Sequence, residues 1–196
     1  MIKLRPIVFT LGLVLSKLAL FMWLPTLLAL FTGSEGFVEF LKSVLITHGA
    51  ALLCLHHGRK VEFHLGVREM FLLTTSVWVV ACIFGALPFF FINHIDFTDA
   101  YFETMSGVTT TGSTVLSGLD GMAHSILLWR SILQWLGGVG FIVMAVAVLP
   151  YLNVGGMKLF QTESSDWSDK SAPRAKTVAN NIVVVYLVLS MLCFLA

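Results

Sequence analysis

The fold is decided by residues 97–114, which read FTDAYFETMSGVTTTGST. Residues 97–106 predict a short helix with acidic residues in its first turn, an Asp96 or Thr98 cap, and Gly107 as its end. Such a helix is about half the length needed to cross a bilayer, so it would enter the membrane and stop. Because a polar turn and a long apolar segment follow, the order of elements predicts a re-entrant pore loop.

The polar turn is the candidate ion site. It contains hydroxyls and carbonyls but no ionisable side chain, and at membrane depth its carbonyls could replace the water around a dehydrated cation. Gly112 permits the left-handed dihedrals that aim successive carbonyls one way. An ordinary extracellular loop could have the same composition, but the half-length and full-length flanking helices favour a filter. The candidate cation ligands are Thr110, Thr111 and Gly112, followed by Ser113 and Thr114.

Composition defines the broad class. The chain is 57% hydrophobic and 12% charged, with a mean hydropathy of +0.89, which is typical of an integral membrane protein and not of a soluble domain. A net charge of +1 provides no basic surface for nucleic acid. The three cysteines lie far apart in apolar stretches, where cysteine usually acts as a small hydrophobe.

Hydropathy predicts an all-α integral membrane protein, with one helix–pore-loop–helix repeat preceded by two additional transmembrane helices. The apolar segments are 7–31, 37–55, 70–92 and 123–149, and a further one begins at 178. They divide the chain into two leading helices with a basic cytoplasmic loop (1–69), the first repeat (70–150), a cytoplasmic linker (151–177) and the incomplete start of a second repeat (178–196).

Charge predicts the orientation. With the N-terminus in the cytoplasm, nine of the twelve Lys and Arg residues fall on the cytoplasmic side, as expected for basic loops. Asp96, Asp99 and Glu103 then lie at the outer mouth, where their field could concentrate cations. The preference for acids at a helix start explains the same residues equally well.

The long apolar segment after the loop contains an arginine and a glycine-rich run, and each has more than one possible role. Arg130 lies in its first turns, where we expect a pairing with Asp120, Glu103 or a carbonyl and not a gating role. Residues 137–140 read GGVG near the middle of the helix. Glycines there allow close packing or bending, and close packing is the preferred interpretation.

These motifs together resemble a known family. Residues 102–114, FETMSGVTTTGST, and 116–120, LSGLD, resemble the first pore loop of Trk-type bacterial potassium uptake proteins. Residues 129–140, WRSILQWLGGVG, resemble their next helix, and LP at 149–150 with VGGM at 154–157 resembles its exit. The resemblance covers the whole chain, which has less than half of the family's usual length.

The resemblance implies uptake of K⁺ as the transported ion across the bacterial inner membrane, with no organic cofactor. It also implies four repeats around one axis, a homodimer, contact with membrane lipid, and a cytosolic nucleotide-binding TrkA-type ring that controls opening. One repeat cannot surround an ion, so the remaining chain would be absent or the chain would assemble fourfold. Compared with a Thr-Val-Gly-Tyr-Gly filter, the single glycine suggests fewer ordered ion sites.

Two other functions remain open from the sequence. One is a small tetrameric cation channel built from this chain as it stands. The other is a membrane enzyme or assembly scaffold, with Ser113, His124 and Asp120 as a nominal catalytic set. Such a set requires geometry that neighbouring loop residues rarely supply.

Overall fold

The structure, a computed structural model, describes residues 4–33, 36–58, 66–148 and 171–195. Every regular element in these ranges is helical, which confirms the predicted all-α class. The helices are α1 (Leu4–Thr32), α2 (Phe37–His57), α3 (Val67–Gly85), α4 (Leu87–Asn93), α5 (Phe97–Val108), a 3₁₀ turn (Leu119–Gly121), α6 (His124–Val148) and α7 (Ser171–Leu195).

Four stretches of the described residues are long and apolar enough to cross a membrane. They are α1, α2, the pair α3 and α4 taken as one stretch over Arg68–Asn93, and the first part of α6, His124–Ile142. The short helix α5 and the polar loop stand between the third and the fourth. The predicted order of a membrane segment, a half-length helix, a polar turn and a second membrane segment is therefore present.

The chain forms two compact units, residues 1–137 and 138–196. The first unit contains α1 to α5, the polar loop and the first half of α6, so the whole candidate site lies within it. Its core includes Leu15 and Met22 of α1, Phe40 of α2, and Trp129 and Leu133 of α6. Because lipid is as apolar as these side chains, close packing and not hydrophobicity holds such helices together.

The predicted membrane segment 70–92 is broken into two helices. Helix α3 ends at Gly85, and α4 begins at Leu87 with Pro88 in its first turn, where a missing backbone donor is tolerated. The indole Nε1–H of Trp129 donates a hydrogen bond to the Gly85 carbonyl at 3.0 Å. A buried carbonyl at the break therefore keeps a partner. Pro25, in contrast, lies inside α1 without ending it.

The last helix begins earlier than predicted. We expected it to start at residue 178, but α7 starts at Ser171 and includes Pro173 in its first turn. Proline suits this place because the first backbone donors of a helix have no intrahelical acceptor. Most of the predicted linker, residues 151–170, lies outside the described residues.

Candidate functional site

Helix α5 carries the site, and its bounds differ from the prediction at one end. Asp96 occupies the position before the helix, but its side chain makes no capping hydrogen bond. The helix continues through Gly107 to Val108, so Gly107 is not its end. Gly107 is buried instead, and a Cβ there would lie 3.4 Å from the Cβ of Leu133. The glycine serves the packing of α6 on α5.

Two further glycines bring neighbouring helices against α5. A Cβ on Gly85 of α3 would lie 2.8 Å from Cγ2 of Thr104, and a Cβ on Gly137 of α6 would overlap the carbonyl oxygen of Val108. For Gly137 the preference for close packing over a hinge is thus confirmed. The C-terminal half of α5 is therefore packed closely against α3 and α6 just before the loop begins.

In the first half of the loop, residues 109–112, the backbone φ angle alternates between negative and positive values. Thr110 and Gly112 have φ angles of 57° and 80°, whereas φ of Thr109 is −81° and that of Thr111 is not positive. A threonine with positive φ is uncommon and points to a conformation imposed by its surroundings. All four residues are exposed. This segment contains three of the five predicted cation ligands.

Backbone hydrogen bonds hold that half through its N–H groups. The N–H groups of Thr109, Thr110 and Thr111 donate to the carbonyls of Met105, Gly107 and Ser106 at 2.8, 2.9 and 3.0 Å. Within the described residues, none of the carbonyl oxygens of 109–112 accepts a hydrogen bond. The carbonyls are therefore free to bind a cation, while the amides continue the end of α5.

The second half, residues 113–115, is held by side chains of α5. The hydroxyl of Ser106 donates to the Ser113 carbonyl at 2.6 Å. Oε2 of Glu103 accepts from the Thr114 hydroxyl at 2.8 Å and from the Val115 N–H at 3.1 Å. The Ser113 carbonyl and the Thr114 hydroxyl, both in the predicted ligand set, thus already have protein partners.

Glu103 does not lie at an open acidic mouth, contrary to the prediction. The residue is 2% exposed, and its Oε1 lies 2.7 Å from Nε of Arg130, whose side chain is 17% exposed. Of the partners considered for Arg130, the structure therefore brings Glu103 to it. Asp96 and Asp99 are exposed and remain available to the mouth.

The residues of the nominal catalytic set do not form one. Ser113, Asp120 and His124 are exposed, and in the described part of the chain no hydrogen bond joins any two of them. The described part of the chain also contains no group of three or more His, Cys, Asp or Glu side chains that could hold a metal ion. Carbonyl and hydroxyl oxygens, which suit an alkali cation, are what the site offers.

A half-length helix and a polar loop, placed between two stretches of membrane length, define an α-helical membrane protein with the order of elements that a pore loop has. The family can be stated more closely. The sequence model of TrkH, described as a cation transport protein, matches residues 36–196. The chain belongs to this family.

Individual relatives agree with the family match. The chain is 40% identical over 192 residues to the Trk system potassium uptake protein TrkI of Halomonas elongata, covering 97% of this chain and 39% of the relative. It is 38% identical over 196 residues to the Trk system potassium uptake protein TrkH of Escherichia coli K12, covering 98% and 41%. The relatives are named for transport and not for an enzymatic reaction.

A solved structure shows the same fold. The crystal structure of the potassium transporter TrkH from Vibrio parahaemolyticus superposes with a TM-score of 0.82 at 33% identity, over 97% of this chain and 38% of that one. The chain spans about two fifths of the length of the relatives it matches.

Proposed function

We propose that this chain supplies one of four filter segments of a potassium uptake protein in the bacterial inner membrane, with the N-terminus in the cytoplasm. The observation that carries the proposal is the alternating backbone of residues 109–112, whose carbonyls accept no hydrogen bond within the described residues. Relatives at 38–40% identity that are named as potassium uptake proteins support potassium as the ion.

The proposed ligands are the backbone carbonyls of Thr110, Thr111 and Gly112, with Ser113 and Thr114 as further contributors. Carbonyl oxygens in the right number and spacing replace the hydration shell of K⁺ at little net cost. The C-terminus of α5 precedes the segment and carries about half a negative charge, which favours a cation there. No net charge on the loop is needed.

The remaining parts of the proposal concern assembly. Residues 70–150 form the first helix–pore-loop–helix repeat, after two leading helices in 1–69, and residues 178–196 start a second repeat after the linker 151–177. Three further filter segments complete the ring around the ion. Lipid contacts the outer faces, the protein forms a homodimer, and a nucleotide-binding TrkA-type ring controls opening.

The test compares two glycines that differ only in place. Gly112 and Gly118 have φ angles of 80° and 69°, and a Cβ on either would meet no atom within 4 Å. Alanine therefore imposes a similar backbone strain at both, about 1–2 kcal/mol. Only Gly112 belongs to the proposed filter. The protein, in its full natural length, would be produced in bacteria that lack potassium uptake, and Rb⁺ and Na⁺ uptake would be measured per inserted molecule.

We expect Gly112→Ala to lower Rb⁺ uptake and the Rb⁺/Na⁺ ratio, whereas Gly118→Ala keeps both near wild type. Equal effects of the two substitutions would show that strain in the loop, and not the filter position, matters. Wild-type Rb⁺ uptake and a wild-type Rb⁺/Na⁺ ratio in Gly112→Ala would mean that residues 110–112 do not line the ion path.

A further inference from the structure

A buried carboxylate stands directly behind the proposed filter. Glu103 lies on α5 and is 2% exposed; its Oε1 forms an ion pair with Arg130 without a hydrogen bond of good geometry, and its Oε2 accepts hydrogen bonds from the loop. Burying a charge is unfavourable unless an opposite charge and hydrogen bonds compensate it. The chain supplies one cation, from Arg130 of α6, and two donors, from Thr114 and Val115 of the loop.

The two oxygens of Glu103 have different partners. Oε1 faces the Arg130 guanidinium at 2.7 Å, whereas Oε2 accepts both hydrogen bonds from the loop. The Thr114 oxygen also accepts a bond from the N–H of Leu116 at 3.1 Å. A connected series of polar contacts thus runs from α6 through α5 to residues 114–116. Hydrogen bonds to an ionised acceptor are about twice as strong as neutral ones, which makes the two bonds from the loop to Oε2 the strongest in this series.

We propose that Glu103 is a positioning residue for ion selection, and that Arg130 keeps its carboxylate in place. This inference rests on the proposed function. Residues 110–112 lie between two held points, namely the end of α5, which the amides of Thr110 and Thr111 continue, and Thr114, whose hydroxyl donates to Glu103. The distance between those points sets the spacing of the carbonyls. Carbonyl spacing and field strength decide between K⁺ and Na⁺.

Glu103 itself does not bind the transported ion. Its carboxylate is buried, it already has a cation as a partner, and its loop-facing oxygen is occupied by two donors. Its effect on selection passes through Thr114 and Val115. That indirect route separates the proposal from a binding site at the mouth, and from a purely structural pair that would affect only the amount of folded protein.

The experiment is a double-mutant cycle read by ion preference. Glu103→Gln removes the charge while keeping the size, and Thr114→Val removes the loop hydroxyl while leaving the ion pair intact. Ser117→Ala, in the same loop and exposed, is the matched control, and Gly112→Ala is the reference for the filter. Rb⁺ and Na⁺ uptake are measured per inserted molecule in the full natural length of the protein.

We expect Glu103→Gln to lower the Rb⁺/Na⁺ ratio about tenfold and Thr114→Val to lower it severalfold, since each loses a hydrogen bond to a charged acceptor or the charge itself. The effects of the double variant should be less than additive, because Glu103→Gln already weakens the hydrogen bond that Thr114→Val removes. Ser117→Ala should keep the wild-type ratio. Arg130→Lys, which retains the positive charge, should retain most of the ratio, and Arg130→Gln should lose it.

Three results would overturn the inference. Additive effects would mean that the Thr114 hydroxyl acts independently of Glu103, as a direct ion ligand would. Wild-type ratios in Glu103→Gln and Thr114→Val, with a lowered ratio in Gly112→Ala, would reject positioning while leaving the filter in place. Wild-type ratios in all three variants would reject the proposed filter as well. If Glu103→Gln reduces insertion, the two Arg130 variants still decide, because Arg130 lies beside the carboxylate and is not a proposed ion ligand; a wild-type ratio in Arg130→Gln would reject the inference.

Discussion

The two halves of the polar loop are both rich in hydroxyl residues, but they are attached to α5 in different ways: the first half through its backbone N–H groups, and the second half through side chains of α5. The amides of residues 109–111 donate to the end of α5, and the carbonyls of residues 109–112 accept no hydrogen bond among the described residues. Residues 113–115 are held by Ser106 and Glu103, which bind a carbonyl, a hydroxyl and an amide. The difference lies in α5 and not in the loop itself, since its side chains reach only the second half. A run of hydroxyl residues is thereby divided into a part with unbonded carbonyls, the proposed ion ligands, and an anchored part.

The backbone determines the geometry of the first half of the loop, and side chains determine that of the second half. In the first half the geometry depends on where α5 ends and on the positive φ angles of Thr110 and Gly112. In the second half it depends on polar atoms that substitution can remove one at a time. Changes at the end of α5 should therefore disturb both halves of the loop. Changes to Ser106 should disturb only the second half, and loss of an exposed hydroxyl should disturb neither half severely.

The largest effect is expected from Gly137→Ala. The added methyl would overlap the Val108 carbonyl, which belongs to the last residue of α5, and backbone cannot yield as a flexible side chain can. Overpacking of this kind costs about 1–3 kcal/mol or more. We expect α5 to shift, Rb⁺ uptake to be lost, and the thermal midpoint of the detergent-solubilised protein to fall by several degrees.

Gly140→Ala is the control on the same helix. A Cβ there would meet no atom within 4 Å, and alanine favours a helix over glycine by about 1 kcal/mol. Wild-type uptake and an equal or higher thermal midpoint are expected. If both alanines were equally harmful, bending of the glycine segment, and not its packing on α5, would be the reason for these glycines.

The sequence predicted the elements better than it predicted their contacts. Apolar length and the acidic start were enough to identify α5 and its flanking segments, because these depend on local chemistry. Gly107 was misread as a helix end because glycine has the same appearance whether it ends a helix or admits a neighbour. Only the position of Leu133, distant in sequence, distinguishes the two roles.

The site was predicted as a set of residues without its supports. Thr110, Thr111 and Gly112 stood out by composition, but the contacts of Ser106 and Glu103 to the loop depend on how the chain folds back after Gly112. The pairing of Arg130 with Glu103 was one of three considered. Spacing alone could not exclude Asp120, which is closer in sequence. The signal that the sequence did offer was a glutamate and a serine three residues apart, on the helix before the polar loop.

A smaller effect is expected from Ser106→Ala. The substitution removes the 2.6 Å hydrogen bond to the Ser113 carbonyl and leaves α5 otherwise intact, so the loss is about 1 kcal/mol. We expect a lowered Rb⁺/Na⁺ ratio with little change in the thermal midpoint. Ser131→Ala, which removes a hydroxyl bonded to the carbonyl of Leu127 on exposed α6 surface, should change neither quantity. If Ser106→Ala and Ser131→Ala had the same Rb⁺/Na⁺ ratio, the hydrogen bond from Ser106 to the Ser113 carbonyl would not contribute to ion selection.

The smallest effects are expected from the exposed hydroxyls of the first half. Oγ1 of Thr109 lies 2.8 Å from Oγ1 of Thr111 and 2.8 Å from the Met105 carbonyl. A hydroxyl has one proton, so if Thr109 donates to Met105, the proton between the two threonines comes from Thr111. Thr111→Val then removes one hydrogen bond, whereas Thr109→Val removes two. Since both sites are exposed, each change should cost about 0.5 kcal/mol or less.

We therefore expect Thr109→Val to reduce Rb⁺ uptake slightly more than Thr111→Val, and both to reduce it less than Ser106→Ala. Uptake rates at matched membrane abundance give the ranking. Equal effects of the two substitutions would assign the donor role between the hydroxyls to Thr109, because each change would then remove only their shared hydrogen bond. A loss larger than that of Ser106→Ala at either threonine would mean that the hydroxyls themselves bind the ion. The free carbonyls would then not be what distinguishes the first half from the second.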